Sequence, residues 1–115
     1  YDHCSAINKV IKVGKIGEVY NIGGNNEKTN LEVVKYICNI LDRISPRDDG
    51  QLYSSQITFV DDRAGHDFRY AINSSKLKNK LDWVPDETFE TGIIKTVEWY
   101  LDNFEWLENI LSEEP

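Results

Sequence analysis

The sequence predicts a small mixed α/β domain in which short strands are flanked by helices, and three observations support this fold class. Long segments near both ends carry apolar residues three or four positions apart, which is the spacing of a helix face. Shorter runs alternate in polarity or are rich in β-branched residues, as strands are. A chain of 115 residues is long enough for one domain with a modest core, so residues 1–115 are predicted to form a single domain.

The amino-terminal half is predicted to contain two helices separated by a strand. Apolar side chains at helical spacing place the first helix over residues 2–13. Alternation over residues 17–22 predicts a strand, which breaks into a loop at a Gly-Gly pair. Thr29 and Glu32 then form a capping box ahead of a second helix, which we expect to end before Pro46.

The carboxy-terminal half is predicted to hold two further strands and two helices. The polar segment 46–55 indicates an exposed loop, and residues 57–60 and 70–72 are strand-like. Ser74 is positioned to cap a short helix, and Trp83 lies in a turn as a large apolar anchor. The last helix is predicted to be the longest, with a buried stripe formed by Phe89, Ile93, Val97, Tyr100, Phe104, Leu107 and Leu111.

Charge and composition exclude several classes of partner. The formal net charge is -7 at pH 7, so the protein lacks the broad basic face that nucleic acid or an anionic membrane surface requires. No apolar run is long enough to span a membrane, and the first residues do not resemble a signal peptide. Cys4 and Cys38 lie among aliphatic residues and are predicted to be buried free thiols. We therefore expect a soluble, cytoplasmic protein.

One loop concentrates the groups that bind small anions. Asp62, Arg63, Gly65 and His66 lie between two of the predicted strands, and a loop held in this way presents its side chains from a firm scaffold. Arginine offers a bidentate fork for phosphate, histidine offers a ring that stacks or donates, and glycine lets the backbone approach a ligand closely. In an acidic protein, this local basic cluster predicts a site for a small anion.

Catalytic and metal-binding patterns are missing from the sequence. Gly23 and Gly24 follow a predicted strand but lack the spacing that cradles a pyrophosphate, and no tyrosine is followed four residues later by lysine. The histidines and cysteines have no spacing typical of a closed zinc site. We therefore predict a binding loop but no catalytic residue, no cofactor-binding residue and no metal site in this chain.

Four stretches of the chain resemble, in the same order, the carboxy-terminal part of the dTDP-glucose 4,6-dehydratase family of extended short-chain dehydrogenases/reductases. They are Asp2–Ile7, Gly17–Leu31, Asp61–Ile72, and a closing segment made of Leu81–Pro85, Phe89–Ile93 and Lys95–Tyr100. The Tyr-Asn-Ile-Gly-Gly and Leu-x-Trp-x-Pro pieces occur across many nucleotide-sugar epimerases and decarboxylases, whereas the His-Asp-x-Arg-Tyr-Ala extension of the loop favours the dehydratase.

Two positions depart from the family pattern. Ala64 stands where the family usually has proline, and we expect this change to loosen the binding loop. Asp82 stands where the family usually has the glycine of a Leu-Gly-Trp turn, and we expect this change to affect only packing.

The resemblance implies a lyase that uses tightly bound NAD to oxidise C4 of dTDP-glucose, eliminate water across C5 and C6, and return the hydride at C6. The product is dTDP-4-keto-6-deoxyglucose, a precursor of rhamnose and other deoxysugars. The NAD site, the catalytic residues and the homodimer contact belong to the family's Rossmann half. This chain would then be the substrate-binding part without that half, and inactive alone.

The resemblance also implies roles for residues that match the family motifs. Asn21 would contact the nucleotide diphosphate, Arg63 would pair with phosphate oxygens, and His66 would contact the nucleotide. Asp62 and Gly65 share the loop with Arg63 and His66.

Several alternatives stay open at this point. The chain is also compatible with a UDP-sugar epimerase or decarboxylase of the same family, or with a non-catalytic module that keeps the fold for protein contacts. Two alternatives concern single residues. The first is that Arg63 forms an ordinary surface ion pair with Asp61, Asp62 or Asp67, and the second is that Asn21 only caps a turn.

Overall fold

The computed structural model describes residues 1–65 and 71–112, which fold into two compact units. The first unit contains Tyr1–Lys28 and Asp61–Phe89, and the second contains Thr29–Val60 and Glu90–Pro115. The elements in chain order are α1 (Asp2–Val13), α2 (Asn30–Ile44), a 3₁₀ helix (Tyr53–Gln56), α3 (Ser75–Leu81), α4 (Phe89–Asp102) and α5 (Phe104–Ser112).

The first unit is built around the contact between α1 and α3. Ala6 of α1 packs with Leu77 and Leu81 of α3, and all three side chains are buried. Trp83 lies against this cluster and its indole Nε1 donates a hydrogen bond to Ser5 Oγ over 2.9 Å, as expected for an apolar anchor with a polar edge. The predicted bounds of α1 are confirmed.

The second unit begins with the capping box that the sequence predicts. Thr29 Oγ1 accepts a hydrogen bond from Glu32 N over 3.2 Å, and Glu32 Oε2 accepts one from Thr29 N over 2.7 Å. The helix that follows ends at Ile44, before Pro46 as predicted, and packs against the 3₁₀ helix. Tyr53 fixes this contact, because its hydroxyl donates to the Ser45 carbonyl oxygen over 2.9 Å.

The short strands of the predicted fold class are not observed in the part of the chain that the structure describes. Residues 17–22 and 57–60, and the described part of 70–72, have no strand hydrogen bonding; Tyr70 itself lies outside the described residues. Alternation predicts an extended backbone, but a strand also needs a neighbour to accept and donate its ladder bonds. The described segments do not pair in this way, so the structure is helical with extended connections.

The prediction of one long carboxy-terminal helix is also wrong, because the helix is interrupted at Asn103. The Asn103 side-chain Nδ2 donates to the Trp99 carbonyl oxygen over 2.8 Å, while its own backbone N donates to the same oxygen over 3.0 Å. Asparagine side chains compete in this way with helical backbone bonds. Of the predicted buried stripe, Val97 is buried, whereas Tyr100, Phe104 and Leu111 are exposed.

Three smaller predictions have mixed outcomes. Cys38 is a buried free thiol as expected, but the free thiol of Cys4 is exposed. Ser74 does occupy the N-cap position of α3, but its side chain makes no capping bond. Instead, Asn73 Oδ1 accepts from Ser75 N over 3.0 Å, which is an Asx-type cap.

The segment 46–55 is exposed at most positions, as predicted. It also includes the start of the 3₁₀ helix, which its polar pattern does not predict. No helix among the described residues is long and apolar enough to cross a membrane.

Candidate functional site

The loop that carries Arg63 places its guanidinium in solvent. Arg63 is exposed, and among the described residues it forms no ion pair, so neither Asp61 nor Asp62 neutralises it. Asp62 instead uses Oδ1 to accept a hydrogen bond from Arg63 N over 2.9 Å, which shapes the backbone of the turn. The surface ion pair remains an alternative only with Asp67, which lies outside the described residues.

Gly65 follows in the conformation that the loop requires. Its φ of +74° lies in the left-handed region that glycine adopts without steric cost, and no atom of the described residues lies within 4 Å of the position that a Cβ would occupy. Among the described residues, nothing therefore blocks the backbone on that side, as close approach to a ligand requires. His66, the remaining residue of the predicted loop site, lies outside the described residues.

Asn21 lies in the same compact unit as the Arg63 loop, on an extended segment. Its side-chain Nδ2 donates to the Asn73 carbonyl oxygen over 3.2 Å, just before α3 begins. The amide is exposed, and its Nδ2 carries two N–H groups, of which this bond uses one. Asn21 therefore joins two distant parts of the chain rather than capping a local turn.

The segment before Asn21 is fixed by one lysine of α3. Lys76 Nζ donates to Glu18 Oε2 over 2.7 Å and to the Val19 carbonyl oxygen over 2.6 Å. The same ammonium lies 4.7 Å from the centroid of the Tyr20 ring. We call Lys76 with Glu18, Val19 and Tyr20 the Lys76 clamp.

The electrostatics of the clamp follow from this geometry. The hydrogen bond from Lys76 is the main cause that holds the pKa of the Glu18 carboxyl below its ordinary value, and the positive charge of Lys76 adds to the effect. Lys15 lies 3.7 Å from Glu18 Oε1, and its backbone N donates to the Tyr20 hydroxyl over 3.0 Å. These residues line a cavity of about 290 Å³, together with Val13, Lys80 and Leu81.

The Gly-Gly pair does not form a cradle for a dinucleotide. The space that a Cβ of Gly23 would fill is occupied by Ile72 Cγ2 at 2.5 Å, and at Gly24 it is bounded by Asn26 Nδ2 at 3.0 Å. A pyrophosphate binds to glycines whose backbone faces open space. The Gly23–Gly24 pair therefore does not fit the phosphate-binding turn of an NAD site, and Gly23 serves the close packing of this loop on the segment before α3.

A second cavity, of about 320 Å³, adjoins the Gly-Gly loop in the same unit. Its lining includes Asn25, whose Oδ1 accepts from Ser74 Oγ over 3.2 Å, and Lys78 of α3. Asn25 has a φ of +52°, which asparagine tolerates better than most residues. Arg63 lines neither this cavity nor the one beside the clamp.

Sequence reasoning missed the clamp and the Asn73 contact. Lys76 and Glu18 are 58 positions apart, and a lysine in a short polar helix carries no signal of its partner. Within residues 1–65 and 71–112, no group of three or more histidine, cysteine, aspartate or glutamate side chains is placed to hold a metal ion.

Comparison with known sequences identifies relatives along most of the chain. The family model of GDP-mannose 4,6 dehydratase matches residues 1–96. The dTDP-glucose 4,6-dehydratase of Xanthomonas campestris pv. campestris is 54% identical over 111 residues, which cover 96% of this chain and 32% of that protein. The enzyme of the same name from Shigella flexneri is 55% identical over 111 residues, which cover 96% of this chain and 30% of that protein. The chain thus spans about a third of the length of these curated relatives.

Solved structures agree with the sequence relatives. The crystal structure of dTDP-glucose 4,6-dehydratase from Bacillus anthracis str. Ames in complex with NAD matches with a TM-score of 0.76 and 52% identity, covering 91% of this chain and 30% of that one. The dTDP-glucose 4,6-dehydratase from Streptomyces venezuelae, with NAD and TYD bound, matches with a TM-score of 0.78 and 35% identity over the same shares. The resemblance seen in the sequence is therefore confirmed, and this chain belongs to the GDP-mannose 4,6-dehydratase family of extended short-chain dehydrogenases/reductases, among relatives named dTDP-glucose 4,6-dehydratase.

Proposed function

We propose that this chain is the carboxy-terminal, substrate-binding part of an NAD-dependent dTDP-glucose 4,6-dehydratase. The observation that carries the proposal is the 54% identity to the Xanthomonas enzyme across 96% of the chain, which includes the Arg63 loop. The family model is named for a GDP-sugar, but the relatives from Xanthomonas and Shigella are named for dTDP-glucose. We therefore assign dTDP-glucose as the substrate and dTDP-4-keto-6-deoxyglucose with water as the products.

In this proposal the Arg63 loop and Asn21 bind the nucleotide diphosphate. The exposed guanidinium of Arg63 forms bidentate bonds to phosphate oxygens, and Asp62 holds the backbone of the loop through Arg63 N. Gly65 lets the chain pass close to the ligand, Asn21 contacts the diphosphate, and His66 contacts the nucleotide. Arg63 is exposed and has no carboxylate partner among residues 1–65 and 71–112, which supports this assignment because such a side chain can pair with an anion.

NAD is bound by another part of the enzyme, because Gly23 and Gly24, which follow an extended segment here, do not form a cradle for its pyrophosphate. When bound, it supplies the hydride acceptor for oxidation at the sugar. The contribution of this chain is to hold the diphosphate so that the sugar meets the cofactor and catalytic groups of the other part. A homodimer formed through that other part, a single domain over residues 1–115 and a cytoplasmic location remain predictions.

The proposal is tested by an activity assay on the full-length enzyme of which this chain is a part. Purified enzyme with NAD should convert dTDP-glucose to the 4-keto product, with much lower kcat/KM on UDP-glucose and GDP-mannose. The 115-residue chain alone should give no product with dTDP-glucose and NAD. Preferred turnover of a UDP-sugar would favour an epimerase or decarboxylase. Absence of both turnover and dTDP binding in the full-length protein would favour a non-catalytic module.

A further inference from the structure

Lys76 links α3 to three consecutive residues that lead directly to Asn21. Its ammonium has three donor positions, and the structure gives it a carboxylate, a backbone carbonyl and an aromatic face in residues 18, 19 and 20. An isolated surface ion pair would need only the first of these contacts. The hydrogen bond to the Val19 carbonyl oxygen holds the main chain itself, whereas an ion pair between two side chains would leave the main chain free to move.

The far side of the same segment is fixed as well. The Tyr20 ring packs against the buried cluster of Ala6, Leu77 and Leu81, and its hydroxyl accepts a hydrogen bond from Lys15 N. Asn21 then reaches the Asn73 carbonyl, three positions before Lys76. The exposed amide of Asn21 is therefore carried by a backbone that is held from both sides, although the segment has no strand hydrogen bonding.

A side chain that binds a ligand must be held close to its productive position, and extended chain without a ladder does not provide this by itself. We propose that Lys76 is a positioning residue for substrate binding, which acts through the backbone of Val19 and Tyr20 to place Asn21 against the nucleotide diphosphate. This inference rests on the proposed function of Asn21. It adds to that function a residue which does not touch the substrate.

Kinetics of the full-length enzyme test the proposal with a matched control. Lys76→Met keeps the length of the side chain and removes its donors, and it should raise KM for dTDP-glucose about tenfold while kcat stays within about twofold. Lys80→Met should leave both constants within about twofold, because Lys80 lines the same cavity but makes none of the clamp contacts. Lys76→Arg should recover part of the loss, since arginine can still donate to two acceptors.

A double-substitution cycle separates positioning from general stability. If Lys76 acts through Asn21, Lys76→Met should raise KM no further in a protein that already carries Asn21→Ala. An equal increase in KM in both backgrounds, or an unchanged KM on Lys76→Met, would overturn the proposal. Should Lys76→Met fail to fold, Glu18→Gln and Lys76→Arg provide the same test with smaller increases.

Nuclear magnetic resonance of asparagine-labelled enzyme distinguishes failure of this inference from failure of the proposed function. Lys76→Met should shift the side-chain amide resonance of Asn21, and Lys80→Met should not. An unshifted Asn21 resonance would contradict the clamp even in an active dehydratase. A shifted resonance in an enzyme that does not act on dTDP-glucose would retain the positioning contact and reject the proposed substrate.

Discussion

The most consequential single residue in the proposed site is Arg63, because its guanidinium is exposed and, among the described residues, has no carboxylate partner. A cation in that state loses little when it binds a phosphate, whereas an arginine already paired must first give up its carboxylate. The backbone bond from Arg63 N to Asp62 directs the loop without neutralising the side chain.

We therefore predict that Arg63→Ala in the full-length enzyme raises KM for dTDP-glucose on the order of tenfold or more. The reason is the loss of a charge-assisted hydrogen bond, which contributes roughly 1.5–3 kcal/mol to binding. Arg63→Lys should recover only part, because a point charge cannot replace the fork. Arg43→Ala, which removes an exposed arginine in the last turn of α2, is the control and should leave KM unchanged. Unchanged kinetics in both Arg63 variants would return this residue to the role of an ordinary surface cation.

The backbone conformation of Asp82 determines the effect of having aspartate rather than glycine at this position. The sequence comparison predicts an effect on packing alone, but Asp82 is the C-cap of α3 with φ +49° and ψ +52°. Its N donates to the Lys78 carbonyl oxygen over 3.0 Å, which closes the helix. The position therefore requires the left-handed conformation, and glycine adopts it without the cost that aspartate bears. The expectation of a packing effect was incomplete for this reason.

Asp82→Gly should accordingly stabilise the protein, with a net gain on the order of 0.5–1 kcal/mol after the greater flexibility of glycine in the unfolded chain is subtracted. Asp86→Gly is the matched control, because Asp86 is not among the described residues with positive φ, and it should destabilise or leave stability unchanged. Urea denaturation at neutral pH measures both. A loss of stability in Asp82→Gly would show that the aspartate side chain contributes more than its backbone costs.

At the scale of elements, local signals predicted helices well and predicted pairing poorly. The bounds of α1 and the capping box of α2 depend on residues within a few positions of each other, and a single sequence contains that information. Strands depend on partners far along the chain, so the extended segments at 17–22 and 57–60 were correctly seen as extended in pattern and wrongly assigned to a sheet. The break at Asn103 is a local competition that helical periodicity does not report.

The candidate site divides in the same way. The turn at Gly65 could be predicted because a glycine within a polar loop indicates it, while the binding role of the Arg63 loop stays a prediction. The contacts of Lys76, Asn73 and Ile72 could not be predicted, because their partners lie about fifty positions away in the sequence and the neighbouring residues do not indicate them. Only a folded chain brings these residues against Asn21 and Gly23.

The turn between α2 and the 3₁₀ helix contains a charge pair whose titration is predictable. The guanidinium of Arg47 donates to both Asp49 oxygens, over 3.0 and 2.5 Å, and Gln51 N donates to Oδ1. The bonds from Arg47 are the main cause that lowers the pKa of the Asp49 carboxyl from 3.8 to about 2. A carboxyl with a depressed pKa in the folded state stabilises that state above its ordinary pKa, and the contribution is lost as the pH falls.

We predict that this turn loses stability between about pH 4 and pH 2, as Asp49 is protonated, and not at neutral pH. Asp49→Asn should lower the melting temperature at pH 7 and should weaken its dependence on pH in that acidic window. Asp48→Asn, one position earlier, is the control and should keep the acid dependence of the parent. Thermal melts from pH 7 to pH 2 provide the measurement, and identical acid profiles for Asp49→Asn and the parent would contradict the assignment.

At the scale of the whole molecule, few of the described apolar side chains are buried. The buried set consists of Ala6, Cys38, Ile40, Leu77, Leu81 and Val97. Large side chains remain in solvent in both units, with Val19 exposed by 77%, Phe59 by 81% and Val60 by 85%. Exposed apolar surface on this scale is typical of proteins that bury it against another surface. We expect the cofactor-binding part of the proposed enzyme to supply that surface.

The last prediction is that the 115-residue chain is less stable than the full-length enzyme and self-associates. A domain of this size buries only about 60–70% of the surface of its unfolded chain, which leaves little stability in reserve when apolar side chains stay uncovered. Thermal melts and light scattering on both proteins test this. Phe59→Gln with Val60→Gln should reduce scattering by the chain without lowering its melting temperature, because these side chains are already in water. Val97→Gln, at a buried position, should unfold it. A chain that is monomeric and as stable as the enzyme would show that the uncovered surface has no cost, and would favour an independent module.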